Sequence, residues 1–165
     1  MDRIKLLFAC IVSIYSCGVY TFTGADIHPD VKTISVAYFQ NQATLVQPVL
    51  SQKFTDRLQD YVIQQTDLNL IRANGDLQFE GYISDYQINP ISISSSDQAN
   101  QNRLNVKVFV RFINKIEPDK SYEQTFNRYA DFDSNITLSQ IEETLLEEII
   151  DELTEDLFNK AVVNW

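Results

Sequence analysis

The sequence predicts an α+β domain. It is a two-layer sandwich with two helices packed on one face of a mostly antiparallel sheet of four or five strands, in the order β-α-β-β-β-β-α. Three observations carry that prediction. In residues 104–113 every second residue from Leu104 to Phe112 is apolar, and Asn105, Lys107 and Arg111 fall between them, the period-2 signature of a strand with one buried face. Two stretches, 47–65 and 138–161, repeat apolar residues at helical spacing. Turn and breaker residues, chiefly Asn74-Gly75, Asn89-Pro90 and Pro118, separate the remaining apolar runs. A hydrophobic content of 44% with ten Phe in 165 residues is enough for one folded core and argues against disorder.

The first segment stands outside that sandwich. Arg3 and Lys5 form a short basic start, and Leu6–Tyr15 is an apolar run broken only by Ser13. Such a run has the length of a signal h-region and falls short of the roughly 20 residues a membrane-spanning helix needs. Ile14-Tyr15-Ser16-Cys17 then has the form of a bacterial lipobox, with Tyr15 in place of the usual small residue. A thiolate is the nucleophile that accepts diacylglycerol as a thioether, and the new N-terminus takes a further acyl chain; two chains are what stable anchoring requires. Leu7-Phe8-Ala9-Cys10 has a similar form but leaves too short an apolar run ahead of its cysteine. A buried N-terminal helix with two core cysteines is the remaining alternative. The expected organisation is therefore a signal over 1–16, a lipidated connector over 17–30 that begins at Cys17, and a single α+β domain over 31–165. Both cysteines lie in the signal region, so the domain is expected to hold together without a disulfide.

The elements follow in order. Val31–Phe39 alternates, with Ile34, Val36 and Tyr38 on one face. The spacing of Leu50, Phe54, Leu58, Tyr61, Val62 and Gln65 predicts a helix over 47–65, with Pro48 in its first turn. Leu68–Arg72 is a short apolar strand. Leu77–Ile88 is a longer one, with Leu77, Phe79, Gly81 and Ile83 on one face, Gln78, Glu80, Tyr82, Ser84 and Tyr86 on the other, and Asn89-Pro90 closing it. Ile91–Asn102 is rich in Ser, Gln and Asn and reads as a loop. In Leu104–Ile113 the residues Leu104, Val106, Val108, Val110 and Phe112 point one way. Its hairpin partner is Ser121–Ala130, with Tyr122, Phe126 and Ala130 inside. Thr137 and Gln140 have capping-box spacing ahead of the helix over 138–161, whose stripe is Ile141, Leu145, Ile149, Leu153, Leu157 and Ala161.

Composition narrows the chemistry. The net charge is −10, and loss of residues 1–16 removes one Asp, one Arg and one Lys and so makes it −11. An acidic domain of this kind is unsuited to nonspecific nucleic-acid binding. The single His, His28, has no partners at metal-ligand spacing, and no glycine-rich phosphate loop is present. The acidic residues between Glu142 and Asp156 follow helix periodicity and read as a solvated face. No nucleophile, base and oxyanion donors assemble in the sequence, so a binding or assembly protein is expected, with no enzyme activity, no metal and no cofactor beyond the diacylglycerol and acyl chain on Cys17.

One cationic feature stands out. Arg103, Lys107 and Arg111 recur every four residues on one strand, so they share a face at intervals of roughly 13 Å, with Lys115 as an extension of the row. The row suits phosphates or carboxylates of a ligand or partner. The alternative is an exposed strand face balanced by Glu80, Glu123 or helix carboxylates.

Five stretches together carry a resemblance: Cys17–Gly24 (CGVYTFTG), Val31–Val36 (VKTISV), Gly75–Gly81 (GDLQFEG), Phe126–Phe132 (FNRYADF) and Asn159–Trp165 (NKAVVNW). They resemble the lipopolysaccharide-assembly lipoproteins, the LptE family, of the Bacteroidetes type. The resemblance spans essentially the whole mature chain. It implies an outer-membrane lipoprotein on the periplasmic side, with a two-helix, roughly four-stranded domain and no catalytic activity. It also implies work with a large LptD-type β-barrel, which the lipoprotein plugs and helps assemble, and contact with lipopolysaccharide during its insertion into the outer leaflet. Gly18-Val19-Tyr20 lacks an Asp at the second mature position and lacks an acidic run, which favours the periplasmic face. Only Cys17 carries over by position. Arg103, Lys107 and Arg111 are assigned by alternation and not by the resemblance. The alternative role is a pilot-type lipoprotein for another outer-membrane machine such as a secretin.

Overall fold

The structure, a computed structural model, describes residues 27–45, 47–91 and 101–162. The expected signal, Cys17 and most of the connector therefore lie outside the described residues, as does most of the Ile91–Asn102 loop. The elements are β1 (Thr33–Val36), β2 (Gln40–Asn41), α1 (Leu50–Gln65), β3 (Asn69–Ile71), β4 (Leu77–Ile91), β5 (Gln101–Asn114), a 3-10 turn (Pro118–Lys120), β6 (Tyr122–Asp133) and α2 (Leu138–Val162). The two-layer α+β class is as expected.

The sheet, however, is mixed. Its strand order is β3-β1-β4-β5-β6, with β2 also paired to β4. The β1 pairings with β3 and β4 and the β2 pairing with β4 are parallel, while β4, β5 and β6 are antiparallel. The reason is topological. β1, α1 and β3 form a β-α-β crossover, and a crossover through a helix brings strands together in parallel.

β1 departs from simple alternation. It ends at Val36, and the chain resumes pairing only at Gln40. Amides on either side of the gap still bond to β4, Ala37 N to the Phe79 carbonyl at 2.8 Å and Gln42 N to the Ile83 carbonyl at 2.9 Å. Within the gap Tyr38 turns out to 52% exposure and Phe39 turns in to 0%. The buried Phe39 amide is satisfied by the Thr55 hydroxyl at 3.1 Å, which in turn donates to the Ser51 carbonyl of α1. The Phe39 ring packs edge-on against Phe54 at 5.1 Å and lies over Gly81, where a Cβ would stand 2.7 Å from that ring and 2.0 Å from the Phe109 carbonyl oxygen. A glycine in mid-strand commonly marks such a close approach.

β4 holds the second correction. The register slips between Ile83 and Asp85, so Ser84 is the extra residue of a β-bulge and its hydroxyl bonds back to the Lys107 carbonyl at 3.2 Å. Every side chain beyond it changes face. Tyr86 therefore points into the core, where its hydroxyl donates to Glu142 in the first turns of α2. Burial, and then the Glu142 carboxylate, push the Tyr86 phenol well above its ordinary range. Nor does Asn89-Pro90 close the strand, since β4 runs on to Ile91 opposite Gln101. Proline is tolerated there because the β2 pairing stops at Ile83 and no other described strand pairs with β4 on that side, so among the described residues it is an edge there.

The helices lie on one face. Leu50, Phe54, Leu58 and Val62 of α1 and Leu146, Ile149, Leu153 and Leu157 of α2 are buried. Contacts between them advance in step along both helices: Lys53 with Glu143 at 2.7 Å, Arg57 with Asp151 at 2.6 Å, and the Tyr61 and Phe158 rings at 5.3 Å. The helices thus run parallel. Arg128, on the helix side of β6, holds Asp156 through two hydrogen bonds at 2.6 and 2.8 Å. The acidic face of α2 is therefore partly solvated and partly a set of clamps onto α1 and β6. Between Thr137 and Gln140 the bond is backbone to backbone, amide to carbonyl at 3.0 Å.

The connection from β3 to β4 crosses the outer face of β1. Asn74 adopts a left-handed conformation, φ 61°, and a Cβ at Gly75 would meet the backbone of Ile34, Ser35 and Leu77 at 2.7 Å each. This loop covers Ser35 and Gln78, which bond to Gly75. Asp76 ends it by accepting the Lys32 amide at 3.0 Å, the Thr33 amide at 2.9 Å and the Thr33 hydroxyl at 2.8 Å on one oxygen.

That carboxylate gives the fold a pH dependence. The Lys32 amide first, then the Thr33 hydroxyl and amide, hold Asp76 below the ordinary carboxylate range. Arg103 does the same to Asp131, and Lys53 to Glu143. A depressed folded value means the stabilisation is present above the unfolded pKa of about 4 and is lost as pH falls through the folded one. Thermal unfolding should therefore show Tm falling steeply below about pH 4. Asp76→Asn should lower Tm at pH 7 and narrow the gap to wild type at pH 3. A variant equally destabilised at both pH values would show that the charge on Asp76 contributes nothing.

Candidate functional site: the open face of the sheet

Side chains of β4, β5 and β6 alternate between the helix layer and a second face that, among the described residues, no helix covers. On β5 the open face carries Arg103, Asn105, Lys107, Phe109 and Arg111, while Leu104, Val106, Val108, Val110 and Phe112 are buried beneath the helices. The antiparallel register places Asn89 and Asp131 on either side of Arg103, Gln87 and Tyr129 beside Asn105, Asp85 and Asn127 beside Lys107, Tyr82 and Thr125 beside Phe109, and Glu80 and Glu123 beside Arg111.

The three expected cations thus share one face, and each of them holds a carboxylate. Arg103 donates from Nε to Asp131 Oδ1 at 2.7 Å and from Nη2 to Oδ2 at 2.8 Å, and its guanidinium lies 3.5 Å above the Tyr129 ring centroid. Lys107 Nζ is 3.0 Å from Asp85 Oδ2. Arg111 Nε donates to Glu123 Oε1 at 2.6 Å. The Arg103 guanidinium, hydrogen-bonded to Asp131, is raised above its ordinary value. Exposed pairs of this kind add little stability, but they fix the direction in which each cation points. Between the charged pairs, the Tyr82 and Phe109 rings stack at 5.1 Å and 28°. The face is thus an aromatic centre set among amides, with an ion pair at each of three levels.

Two details were not legible in the strand alternation. Asp85 reaches the outer face only because of the bulge at Ser84. Helix carboxylates cannot serve the row, because they lie on the other layer and engage Lys53, Arg57 and Arg128. Lys115 does not extend the row. It leaves β5 and bonds through Nζ to the Asn74 carbonyl at 2.9 Å. Elsewhere, His28 Nδ1 accepts the Asp30 amide at 3.2 Å. Among the described residues no group of three His, Cys, Asp or Glu is placed to hold a metal ion, and no helix is long and apolar enough to cross a membrane.

The ends of the domain are distinct. Ile27, Val31, Leu77, Asn114 and Val162 line one small cleft, so the start of the described chain meets the carboxyl end of α2 and the β5–β6 turn. The paired far arms of β4 and β5, with Ile88, Asn89 and Pro90 exposed, lie at the opposite end.

Comparison with known proteins gives three kinds of result. The family described as LptE, lipopolysaccharide-assembly, matches residues 31–161. A minor lipoprotein from Acinetobacter baumannii has a similar structure, with a TM-score of 0.51 at 14% identity over 79% of this chain and 91% of that one. That likeness shows the fold. A hypothetical protein from Chlamydia trachomatis gives a TM-score of 0.47 at 9% identity, over 75% of this chain and 96% of that one. An uncharacterized lipoprotein B from Nitrosomonas europaea gives 0.46 at 13%, over 78% and 80%. No curated protein matches the sequence.

Proposed function

This chain belongs to the LptE family, whose role is lipopolysaccharide assembly, and from that membership we propose an outer-membrane lipoprotein, lipidated at Cys17, that plugs and helps assemble a β-barrel of the LptD type. In this reading it assists lipopolysaccharide insertion into the outer leaflet by binding and not by turnover, and the domain spans 31–165 behind a connector over 17–30. From Cys17 to Ile27 the chain reaches at most about 35 Å. The anchored end is then the one bearing Ile27 and the carboxyl end of α2, and the β4–β5 arms point away from the inner leaflet toward the barrel.

The observation that carries the contact surface is the sheet face that no described helix covers, with Arg103, Lys107 and Arg111 in line. Lipopolysaccharide phosphates bring more negative charge and more acceptor oxygens than a carboxylate. They exchange for Asp131, Asp85 and Glu123 on cations already held in position, while Tyr82 and Phe109 offer an apolar strip between the charges.

Depletion of the protein should leave the barrel partner misassembled and lipopolysaccharide trapped inside the cell. Normal surface lipopolysaccharide after clean deletion sinks the proposal, and recovery of a secretin in place of a barrel on affinity purification points to a pilot protein. At the residue level, replacing Arg103, Lys107 and Arg111 together by Ser leaves three unpaired carboxylates on the face. Affinity of the purified protein for lipopolysaccharide should drop about tenfold or more, with a shallower salt dependence. Unchanged affinity would show that the row is only a solvated face.

A further inference from the structure

The β1-α1-β3 crossover leaves a groove of about 380 Å³ between α1 and the carboxyl ends of β1 and β3, at the opposite edge of the sheet from β6. Crevices at the carboxyl ends of parallel strands, where neighbouring connections diverge, are recurrent ligand sites, and β1 is such a strand, with β3 on one side and β4 on the other. The volume lies at the low end of the roughly 300–1,000 Å³ typical of small-ligand pockets.

Its lining is chemically specific. Gln52, Asp56 and Gln59 fall on successive turns of one α1 face, Tyr38 presents a half-exposed ring, and Arg72 stands across from them. The Gln52 amide donates to both Asp56 oxygens at 2.7 Å, which aims that carboxylate. Arg57, Arg103, Arg111 and Arg128 each hold a carboxylate. Among the described arginines Arg72 alone has no such partner.

We infer that this groove binds a saccharide unit that carries one carboxylate. A sugar ring has an apolar C–H face and a rim of hydroxyls that both donate and accept. The Tyr38 ring takes the face; Gln52, Gln59 and Asp56 supply the mixed donors and acceptors that vicinal hydroxyls need. The planar Arg72 guanidinium fits a carboxylate as a fork of two parallel bonds. One cation beside one carboxylate gives a groove near neutrality, which disfavours phosphates and other multiply charged ligands. A peptide added to the sheet edge is less suited, because β3 offers only three residues for strand addition.

The site is separate from the open sheet face, and its test uses a probe with neither lipid nor phosphate, so its outcome is independent of the proposed function. Full-length protein in detergent is titrated with trigalacturonic acid, followed by calorimetry and by NMR shifts, with maltotriose as the neutral control and acetate as the bare carboxylate. Trigalacturonic acid should bind about tenfold or more tighter than maltotriose, and Arg72→Gln and Tyr38→Ala should each weaken it about tenfold with the circular dichroism unchanged. Equal affinity for maltotriose, competition by acetate at equal concentration, or affinity unaffected by both substitutions overturns the inference. Displacement of the sugar by an equimolar tripeptide overturns it in favour of a peptide ligand.

Discussion

Gly81→Val is expected to prevent or severely weaken folding. The first added carbon would stand 2.0 Å from the Phe109 carbonyl oxygen and 2.7 Å from the Phe39 ring. The ring can swing away only by abandoning Phe54 and the core. The carbonyl belongs to β5, which pairs with β4 on one side and β6 on the other, so it has nowhere to retreat. Overpacking in a well-filled core typically costs about 1–3 kcal/mol, and a backbone collision at the sheet centre lies at or beyond the top of that range. Urea unfolding should show a large fall in midpoint with the slope retained, or no cooperative transition at all. A milder substitution separates the two collisions. Phe39→Ala removes the ring but leaves the carbonyl, so if Gly81→Val on that background costs nothing beyond Phe39→Ala alone, the ring is the obstacle and the carbonyl contact is not.

Cys17→Ser is expected to abolish outer-membrane anchoring. A serine hydroxyl is not ionised near neutral pH and does not accept diacylglycerol in the place of a thiolate. Each buried methylene contributes about 0.8 kcal/mol to membrane binding, and stable attachment takes two chains. The variant should keep its signal, run as the longer unprocessed form, and vanish from the outer-membrane fraction. Intact-mass measurement of the wild type should find diacylglycerol and an acyl chain at Cys17. Acylation at Cys10, or normal processing of the serine variant, would refute the assignment. If the domain must sit within about 35 Å of its lipid to reach the barrel, a Cys17→Ser chain exported by another route should also fail to restore lipopolysaccharide transport.

The strands and helices were legible wherever a residue's role depends on its own neighbours in sequence. Leu104–Phe112 alternates because one face of β5 is buried along its whole length, and the α2 stripe recurs every three or four residues because one side of that helix meets the sheet. The cationic row was readable for the same reason, since Arg103, Lys107 and Arg111 obey the period of a regular strand. Periodicity misleads where the backbone breaks period. Tyr38 and Phe39 exchanged places across the gap between β1 and β2, and Tyr86 changed face after the bulge at Ser84. In each case one extra or unpaired residue inverts every side chain beyond it, and no local composition marks that residue.

The layer architecture, the buried faces of both helices and of β5, and which cations share a surface follow from local order along the chain, because hydrophobic periodicity is a property of a single element. The mixed sheet, the parallel run of α1 and α2, the carboxylate held by each cation of the row, and the place of Arg72 across a groove from Asp56 come from packing. Those facts are relations between elements far apart in the chain. They follow from the β1-α1-β3 crossover, the Ser84 bulge and the close approach at Gly81, where strand direction, register and distance are settled by packing and not by local preference.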